Sequence, residues 1–354
     1  MEMKACTKIL KTIRKTLETK SFCEKHIENE KYFTRNRKIT FSTAVKFVLG
    51  NLKTTLPTEI YNYSKQAKVE EFSAAAMSKA RDKIKYTVFE ELLEITNECI
   101  GKEKLYKGYE LLAVDGMKGE LPKTKDLMKS TGQSKTGKYP IFHSLATYDV
   151  LNNYYLNAIF NIGSGNEREL ARASLEKTVN ENKQIYIYDR GFPEVALIKK
   201  LNEYGKNYVI RVSKSFLKEV NNFTESKAVD KTITITYDKR RGQTNEVKDA
   251  IFPYTFSLRM VRIKLKNGND EILITNLPNK EFSKRNLTEI YKLRWGIESS
   301  FNQLKHAVVV EDFISKKENT IKQEFYATLI LYNIIMCYLY DTKCQKTIKK
   351  KQNF

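Results

Sequence analysis

The sequence is poor in the residues that build disulfide frameworks, histidine metal sites and flexible linkers. Its 354 residues include 5 Cys, 3 His, 14 Gly and 6 Pro. The cysteine count is odd and no pair has C-x-x-C spacing, so neither a disulfide scaffold nor a zinc site is indicated and reduced thiols are expected. Glycine and proline this scarce exclude a linker-rich or disordered chain. The composition is typical of a globular protein.

Long apolar runs are absent as well. The first residues contain no apolar signal core, and the most apolar late stretch, 325–340, is interrupted by Asn333. That stretch is shorter than the roughly 20 residues that a membrane span needs. We therefore expect a cytoplasmic protein without a membrane partner, in which 325–340 is a buried helix.

Positive charge is abundant. Lys and Arg total 63 against 42 Asp and Glu, which gives a net charge of +21. A surplus of this size destabilises a compact chain by self-repulsion unless a polyanion neutralises it. Nucleic acid is the natural partner, because binding it releases counterions from the phosphates. A lysine-rich proteome or a ribosome-associated protein would have a similar composition, so charge alone leaves these alternatives open.

The hydrophobic pattern divides the chain into an N-terminal helical part and an α/β part. Residues 1–105 are basic with apolar residues at helical spacing, in 41–54 and 69–100 above all. Such regions commonly dock on DNA, although a plain helical bundle has the same pattern. Residues 106–213 follow the order three strands, helix, strand, helix, strand. This order predicts a mixed sheet with flanking helices, the first part of an α/β catalytic core.

The remaining sequence predicts an interruption of that core and its completion by helices. Residues 214–280 alternate as an antiparallel β insertion does. Residues 281–310 contain a helix from about Ser283 to Val308, and 311–354 form a C-terminal helical region with a Lys-rich tail.

Residues 291–306 place four functional side chains on one face of the predicted helix. Tyr291, Arg294, Glu298 and Lys305 are separated by three, four and seven residues, which puts them within an arc of roughly 60°. An ordinary amphipathic helix with an i, i+4 Arg–Glu pair would also contain part of this pattern.

Two aspartates complete a set of three carboxylates. Asp115 ends the apolar strand 109–116 and Asp189 ends the strand 184–189, each before a glycine-containing turn. Either alone is a typical turn residue. Together with Glu298 in a basic chain, they form the carboxylate set that two Mg²⁺ ions need for phosphodiester chemistry.

At these residues the sequence resembles the IS4-type bacterial insertion-sequence transposases, of the DDE/RNase-H-like superfamily. The spacing Tyr291-x2-Arg294-x3-Glu298-x6-Lys305 is similar to the Y-R-E-K pattern of that family. The segment IYIYDRGFP resembles its second-aspartate region and LLAVDGMKG its first. The resemblance covers about 110–335 and, more weakly, the N-terminal helices.

The resemblance implies an RNase-H-like mixed sheet interrupted by the β insertion, and a transposase that cleaves and joins DNA by a cut-and-paste route. Asp115, Asp189 and Glu298 would be the catalytic and metal-binding triad for two Mg²⁺ ions, with Mn²⁺ as a substitute. The partners would be double-stranded inverted-repeat ends and target DNA, bound by a homodimer in the synaptic complex, with no small-molecule substrate and a location at the bacterial nucleoid. The residues expected to contact DNA are Tyr291, Arg294, Lys305, Trp295 and Arg190.

Several points stay open from the sequence. Trp295 suits a core position or a base-stacking position. Lys118, Lys123, Lys125 and Lys129 suit a DNA channel or a solvated loop. An inactive DNA-binding relic, or a nuclease that cuts without strand transfer, would share most of these features. If an aromatic ring of the insertion stacks on a base, the candidates are Tyr237, Phe252, Tyr254 and Phe256.

Overall fold

The computed structural model describes residues 5–35, 37–50, 54–101, 104–130, 139–163, 165–177, 183–237, 253–264, 269–304 and 313–352, with the side chains of the last helix described up to Thr342. None of the helices in these ranges has the length and apolar character needed to cross a membrane.

Among the described residues, six helices precede the first strand, as the N-terminal pattern predicts. The predicted run 69–100 is two helices and not one, because the backbone at Ile84 and Lys85 pairs with His26 and Ile27 and not within a helix. The predicted run 41–54 ends as a helix at Leu49, before Gly50. The helices are α1 (Ala5–Leu17), α2 (Lys20–Lys25), α3 (Phe41–Leu49), α4 (Leu56–Ala67), α5 (Ala74–Arg81) and α6 (Thr87–Cys99).

Eight strands in the described residues form a single mixed sheet. The strands are β1 (Glu110–Glu120), β2 (Ile141–Asp149), β3 (Tyr154–Ile162), β4 (Gln184–Tyr188), β5 (Asn207–Val212), β6 (Asp230–Tyr237), β7 (Tyr254–Lys264) and β8 (Asp270–Thr275). Their order in the sheet is β3-β2-β1-β4-β5-β8-β7-β6. The central strands β1, β4 and β5 are mutually parallel, and the pairs on both sides of them are antiparallel. The predicted α/β fold with a mixed sheet is thus confirmed.

The antiparallel insertion extends the core sheet. Strand β8 pairs with β5, so that β8, β7 and β6 continue the sheet beyond the parallel strands. Arg259 on β7 ties this extension to the chain that follows it. Its guanidinium is buried, pairs with Asp230 at 2.7 Å and donates to the carbonyls of Leu277 and Phe282.

Helices cover both faces of the sheet. One face packs against three helices that connect or follow the parallel strands, around Leu112, Tyr186 and Ile210. The helices after β1 are α7 (Lys125–Ser130), α8 (Glu167–Glu176), α9 (Val195–Glu203), α10 (Lys218–Glu225), α11 (Lys284–Leu293), α12 (Trp295–Gln303) and α13 (Glu318–Gln352). The other face of the sheet packs against α11 in its central part. Over β2 and β3 it packs against the N-terminal helices, α12 and α13.

Candidate active site

The parallel register of the sheet brings the two aspartates side by side. The pairing of β1 with β4 ends at Val114 opposite Tyr188, and Asp115 and Asp189 are the next residues on each strand. Side chains alternate between the two faces of a strand. The aspartates therefore lie on the face of Ile187, which packs against α11.

The sequence predicted that the strand before this site spans 109–116, and its predicted end is wrong. The strand runs on to Glu120, and Asp115 pairs with Ala146 of β2. The hairpin with β2 continues while β4 has already ended, so only one of the two neighbouring strands stops at this position. Asp115 is consequently held more rigidly than a turn residue would be.

The helix that contains Glu298 is divided at Arg294, whereas the sequence predicted one helix from about Ser283 to Val308. Helix α11 ends at Leu293 and α12 begins at Trp295. The two parts pack on different regions: α11 lies on β5 and β7, and α12 on β1. The break places Arg294 between the two helices, within 3.9 Å of Asp115 in the middle of β1.

Arg294 joins two of the three carboxylates. Its Nη1 lies 2.6 Å from Glu298 Oε1 and 3.9 Å from Asp115 Oδ2. The Arg294 side chain is only 4% exposed, and its Nε has no hydrogen-bond partner in the described part of the molecule. One buried cation thus neutralises carboxylates from a strand and from a helix.

Asp189 is held by groups from three elements. It accepts a hydrogen bond from the Tyr291 hydroxyl at 3.0 Å and pairs with Nη2 of Arg211 at 3.1 Å. Burial alone would raise the pKa of Asp189, but the Arg190 amide, Arg294, Arg211 and the Tyr291 hydroxyl together lower it. Asp189 is therefore kept ionised by its surroundings.

Asp115 has the opposite electrostatic environment. Burial raises its pKa to about 6, although the Gly116 amide and the Arg294 guanidinium act to lower it. Repulsion from Glu298 and Asp189 adds to the rise. Burial of the carboxyl is thus the main reason that the pKa of Asp115 is raised.

Arg211 is a site residue that the sequence interpretation missed. It lies on β5 on the face of Val209 and also pairs with Glu271 of β8 at 2.5 Å. The feature of the sequence that could have identified it is a single arginine within an apolar strand. A charged residue on the inward face of a buried strand needs a buried partner.

The residues predicted to contact DNA fall into two groups. Arg190 is exposed and Trp295 is 61% exposed, so Trp295 is not a core residue. Tyr291 and Arg294 are buried against the carboxylates, and contact of either with a phosphate stays a prediction. Lys305 lies outside the described residues.

The aromatic residues of the insertion do not supply an exposed ring in its described part. Tyr237 and Phe256 are buried in the core, and the Tyr254 hydroxyl bonds to Asn202. Phe252 lies outside the described residues. Base stacking from this insertion therefore has no support in the described side chains.

The basic side chains after Asp115 are solvated. Lys118 pairs with Glu167 at 2.8 Å, and the side chains of Lys123, Lys125 and Lys129 are exposed. These observations fit a DNA channel and a solvated loop equally well.

The carboxylates fit a divalent cation by their chemistry. In the ranges that the structure describes, no three His, Cys, Asp or Glu side chains stand close enough to hold a metal ion. The Arg294 guanidinium instead lies between Asp115 and Glu298. Carboxylate oxygens are the ligands that Mg²⁺ prefers. The carboxylates therefore suit, by their chemistry, the metal that the sequence predicts, and metal binding itself stays a prediction.

Comparison with known proteins gives a consistent result. A family model described as the transposase DDE domain matches residues 106–334, more than half of the chain. The chain is 24% identical over 295 residues to the proposed transposase of insertion sequence element IS4SA from Synechocystis sp., covering 80% of this chain and 77% of that protein. It is 22% identical over 164 residues to the proposed transposase of element IS5377 from Geobacillus stearothermophilus, covering 46% of this chain and 41% of that protein.

A solved structure shares the fold. The chain is similar to the piggyBac transposase in its synaptic complex with hairpin DNA, with a TM-score of 0.51 and 12% identity, over 96% of this chain and 76% of that one. This likeness agrees with the RNase-H-like core that the sequence predicts.

Proposed function

This chain belongs to the family of DDE-domain transposases, and from that premise we propose that it cleaves transposon ends and joins them to target DNA with Asp115, Asp189 and Glu298 as its catalytic carboxylates. One observation supports this proposal above the others. The buried Arg294 lies 2.6 Å from Glu298 of α12 and 3.9 Å from Asp115 of β1, and Asp189 follows the strand that pairs with β1 at this position. Clusters of buried or half-buried charged groups of this kind are common at functional sites.

Asp115, Asp189 and Glu298 would together hold two Mg²⁺ ions, for which Mn²⁺ would substitute. Bound there, the ions would activate water or a 3′-hydroxyl for attack on a phosphate and stabilise the leaving oxygen. The protein contributes rigidity: Asp115 stands on β1, Asp189 directly follows the buried strand β4, and Glu298 stands on a helix that packs against β1. Preorganised ligands reduce the cost of assembling the site for reaction.

The residues around the carboxylates orient the carboxylates or contact DNA. Tyr291 and Arg211 orient Asp189 through its Oδ1. Arg294 holds Glu298 and would offer a fork of donors to a phosphate that approaches the carboxylates. Exposed Arg190 and Trp295 flank the cluster and would contact the DNA directly, Trp295 through its ring face.

Joining two transposon ends requires two active sites in one assembly. We therefore propose that two copies of the chain pair the ends in a synaptic complex. The piggyBac transposase, to which the fold is similar, has been solved as a synaptic complex with hairpin DNA. Closed point-group symmetry with two copies is the commonest arrangement for such assemblies.

The proposal is tested by incubating the protein with DNA that contains the inverted repeats of its own element. We expect nicking with Mg²⁺ or Mn²⁺, no nicking with a chelator, and joined products on a target plasmid. Asp115→Ala and Asp189→Ala should each abolish nicking and leave the Kd for the repeat DNA within about twofold, because the carboxylates serve chemistry more than affinity. Nicking by either variant at the wild-type rate would refute the assignment.

A further inference from the structure

A groove of about 920 Å³ lies in the N-terminal helical region. One wall is the segment between α2 and α3, residues 31–35 and 37–39, and the other is α5 with its flanks, residues 71–83. None of these residues belongs to the carboxylate cluster. The groove is therefore a separate surface whose partner the catalytic residues do not explain.

Positive charge dominates the groove. Its lining includes one acidic residue, Glu71, against six basic residues. Lys38 pairs with Glu70 at 2.8 Å, and Lys83 lies over the ring of Tyr32 at 5.1 Å. The other four make no ion pair among the described side chains. These four are Lys31, Arg35, Arg37 and Lys79.

Unpaired like charges that face one concave surface repel one another, which destabilises the fold unless an anion occupies the groove. A small anion would neutralise one or two of them. Basic residues spread over two chain segments suit a polyanion with regularly spaced charges, and a nucleic-acid backbone has that property.

The shape of α5 allows close approach of a large partner. Its exposed face consists of small residues, with Ala75, Ala76 and Ser78 beside Lys79. Small side chains let a bulky backbone come near the helix without a steric clash, while Lys79 supplies charge.

The helix is also a firm platform. Arg81, at its end, is buried and pairs with Glu324 of α13 at 2.9 Å. The Arg81 guanidinium also donates to the Thr320 carbonyl at 3.0 Å. Rigid support reduces the conformational entropy lost when a partner binds.

We propose that this groove binds the sugar-phosphate backbone of duplex DNA and so anchors transposon DNA away from the carboxylate cluster. That the bound polyanion is DNA rests on the proposed function. It narrows the DNA-binding surface from the whole of residues 1–105 to one groove. Contacts to phosphates fix position and not sequence, so the groove supplies affinity to any duplex.

The test compares two full-length variants that each lose three positive charges. The groove variant is Arg35→Gln, Arg37→Gln, Lys79→Gln, and the control is Lys8→Gln, Lys11→Gln, Lys15→Gln on the exposed face of α1. The Kd for a labelled duplex is measured by fluorescence anisotropy over a range of salt concentrations. Thermal unfolding of each variant checks that the fold is retained.

We expect the groove variant to bind the duplex on the order of tenfold more weakly than the wild type. The slope of log Kd against log salt concentration should fall by about 2 to 3, since each phosphate contact contributes about 0.9 to that slope. The control should keep the wild-type slope. If the triple variant unfolds, Lys79→Gln alone should lower the slope by about 1.

Equal slopes for the groove variant and the wild type would overturn the proposal, and so would an equal loss in the α1 control. Tighter binding of a duplex RNA than of duplex DNA through the groove would overturn the choice of DNA. Mg²⁺-dependent nicking is measured separately with protein in excess. If the wild-type protein binds DNA through the groove but does not nick it, the catalytic proposal is refuted and the proposal that the groove binds DNA is still supported.

Discussion

Arg294 sets the charge balance at the carboxylate cluster. It is buried, and it contacts Glu298 closely and Asp115 more distantly. Asp189 depends instead on Tyr291 and Arg211. Because Asp189 has partners other than those of Asp115 and Glu298, single substitutions should separate its role in chemistry from theirs.

Arg211 gives the first residue-scale prediction. Arg211→Gln should lower the cleavage rate by about 10- to 100-fold, the usual cost of losing a partner that orients a metal ligand. The Kd for repeat DNA should stay close to the wild-type value, because Arg211 is three-quarters buried and faces Asp189. Single-turnover cleavage and anisotropy measure the two quantities.

The matched control is Glu271→Gln, which removes only the second partner of Arg211. Its loss of rate should be smaller, and Arg211→Lys should recover part of the lost rate. A positioning role for Arg211 would be contradicted if Arg211→Gln cleaved as fast as the wild type.

The sequence identified candidate residues better than it identified their contacts. Asp115, Asp189 and Glu298 follow from motif spacing and strand context. Arg211 does not, because its partners Asp189 and Glu271 come from other strands and only the sheet order brings them together. The sequence also could not predict that Trp295 is exposed, since its exposure depends on the break between α11 and α12.

Strand β1 is the element on which the site depends most. It pairs with β2 from Leu112 to its end at Glu120, but with β4 only as far as Val114. A pattern of alternating residues detects a strand, but it cannot show that one neighbour ends before the other. The sequence therefore predicted that β1 ends at Gly116, four residues too early.

A prediction about packing follows for β1. At Gly119 an added Cβ would lie 2.4 Å from Cε1 of Phe142, a ring buried on β2. Gly119→Ala should cost about 1–3 kcal/mol of unfolding free energy, because overpacking forces the ring or the backbone to shift. Urea denaturation measures this cost.

Gly116→Ala serves as the comparison on the same strand. Its Cβ would meet Glu167 Oε1 at 3.0 Å, the mobile end of a flexible side chain. The cost at Gly116 should therefore be clearly smaller. Equal stability of Gly119→Ala and the wild type would show that Phe142 does not restrict this position.

Helices α5 and α13 are joined by a buried ion pair. Arg81→Met should destabilise the protein by about 3–5 kcal/mol, because it leaves the buried Glu324 without its cation. Replacing Glu324 by Gln as well should recover part of the loss. A single variant as stable as the wild type in urea denaturation would contradict this reasoning.

At the scale of the whole molecule, the N-terminal helices and the catalytic core are not separate bodies. One apolar cluster includes residues of α1, α3, α6, α12 and α13 together with β2 and β3. The division at residue 105 that the sequence predicts is thus a change in secondary structure, and the boundary of a DNA-binding region there stays a prediction. Sequence periodicity identifies elements but not which of them share a core.

The assembly on DNA provides a prediction at this scale. With duplexes that contain the inverted repeat, light scattering should find a complex of two chains and two ends, because joining needs two active sites. A stable complex of one chain with two ends would contradict the proposed homodimer.

Cleavage by a Glu298→Gln variant tests the central claim most directly. The change keeps the size of the side chain and removes its charge, and Glu289→Gln on α11 is the matched control. With Mg²⁺ and repeat DNA, we predict that Glu298→Gln loses single-turnover cleavage by about 10³-fold or more while its DNA affinity and unfolding midpoint stay near the wild-type values. Glu289→Gln should cleave normally. Cleavage by Glu298→Gln at the wild-type rate would show that the three carboxylates are not the catalytic centre.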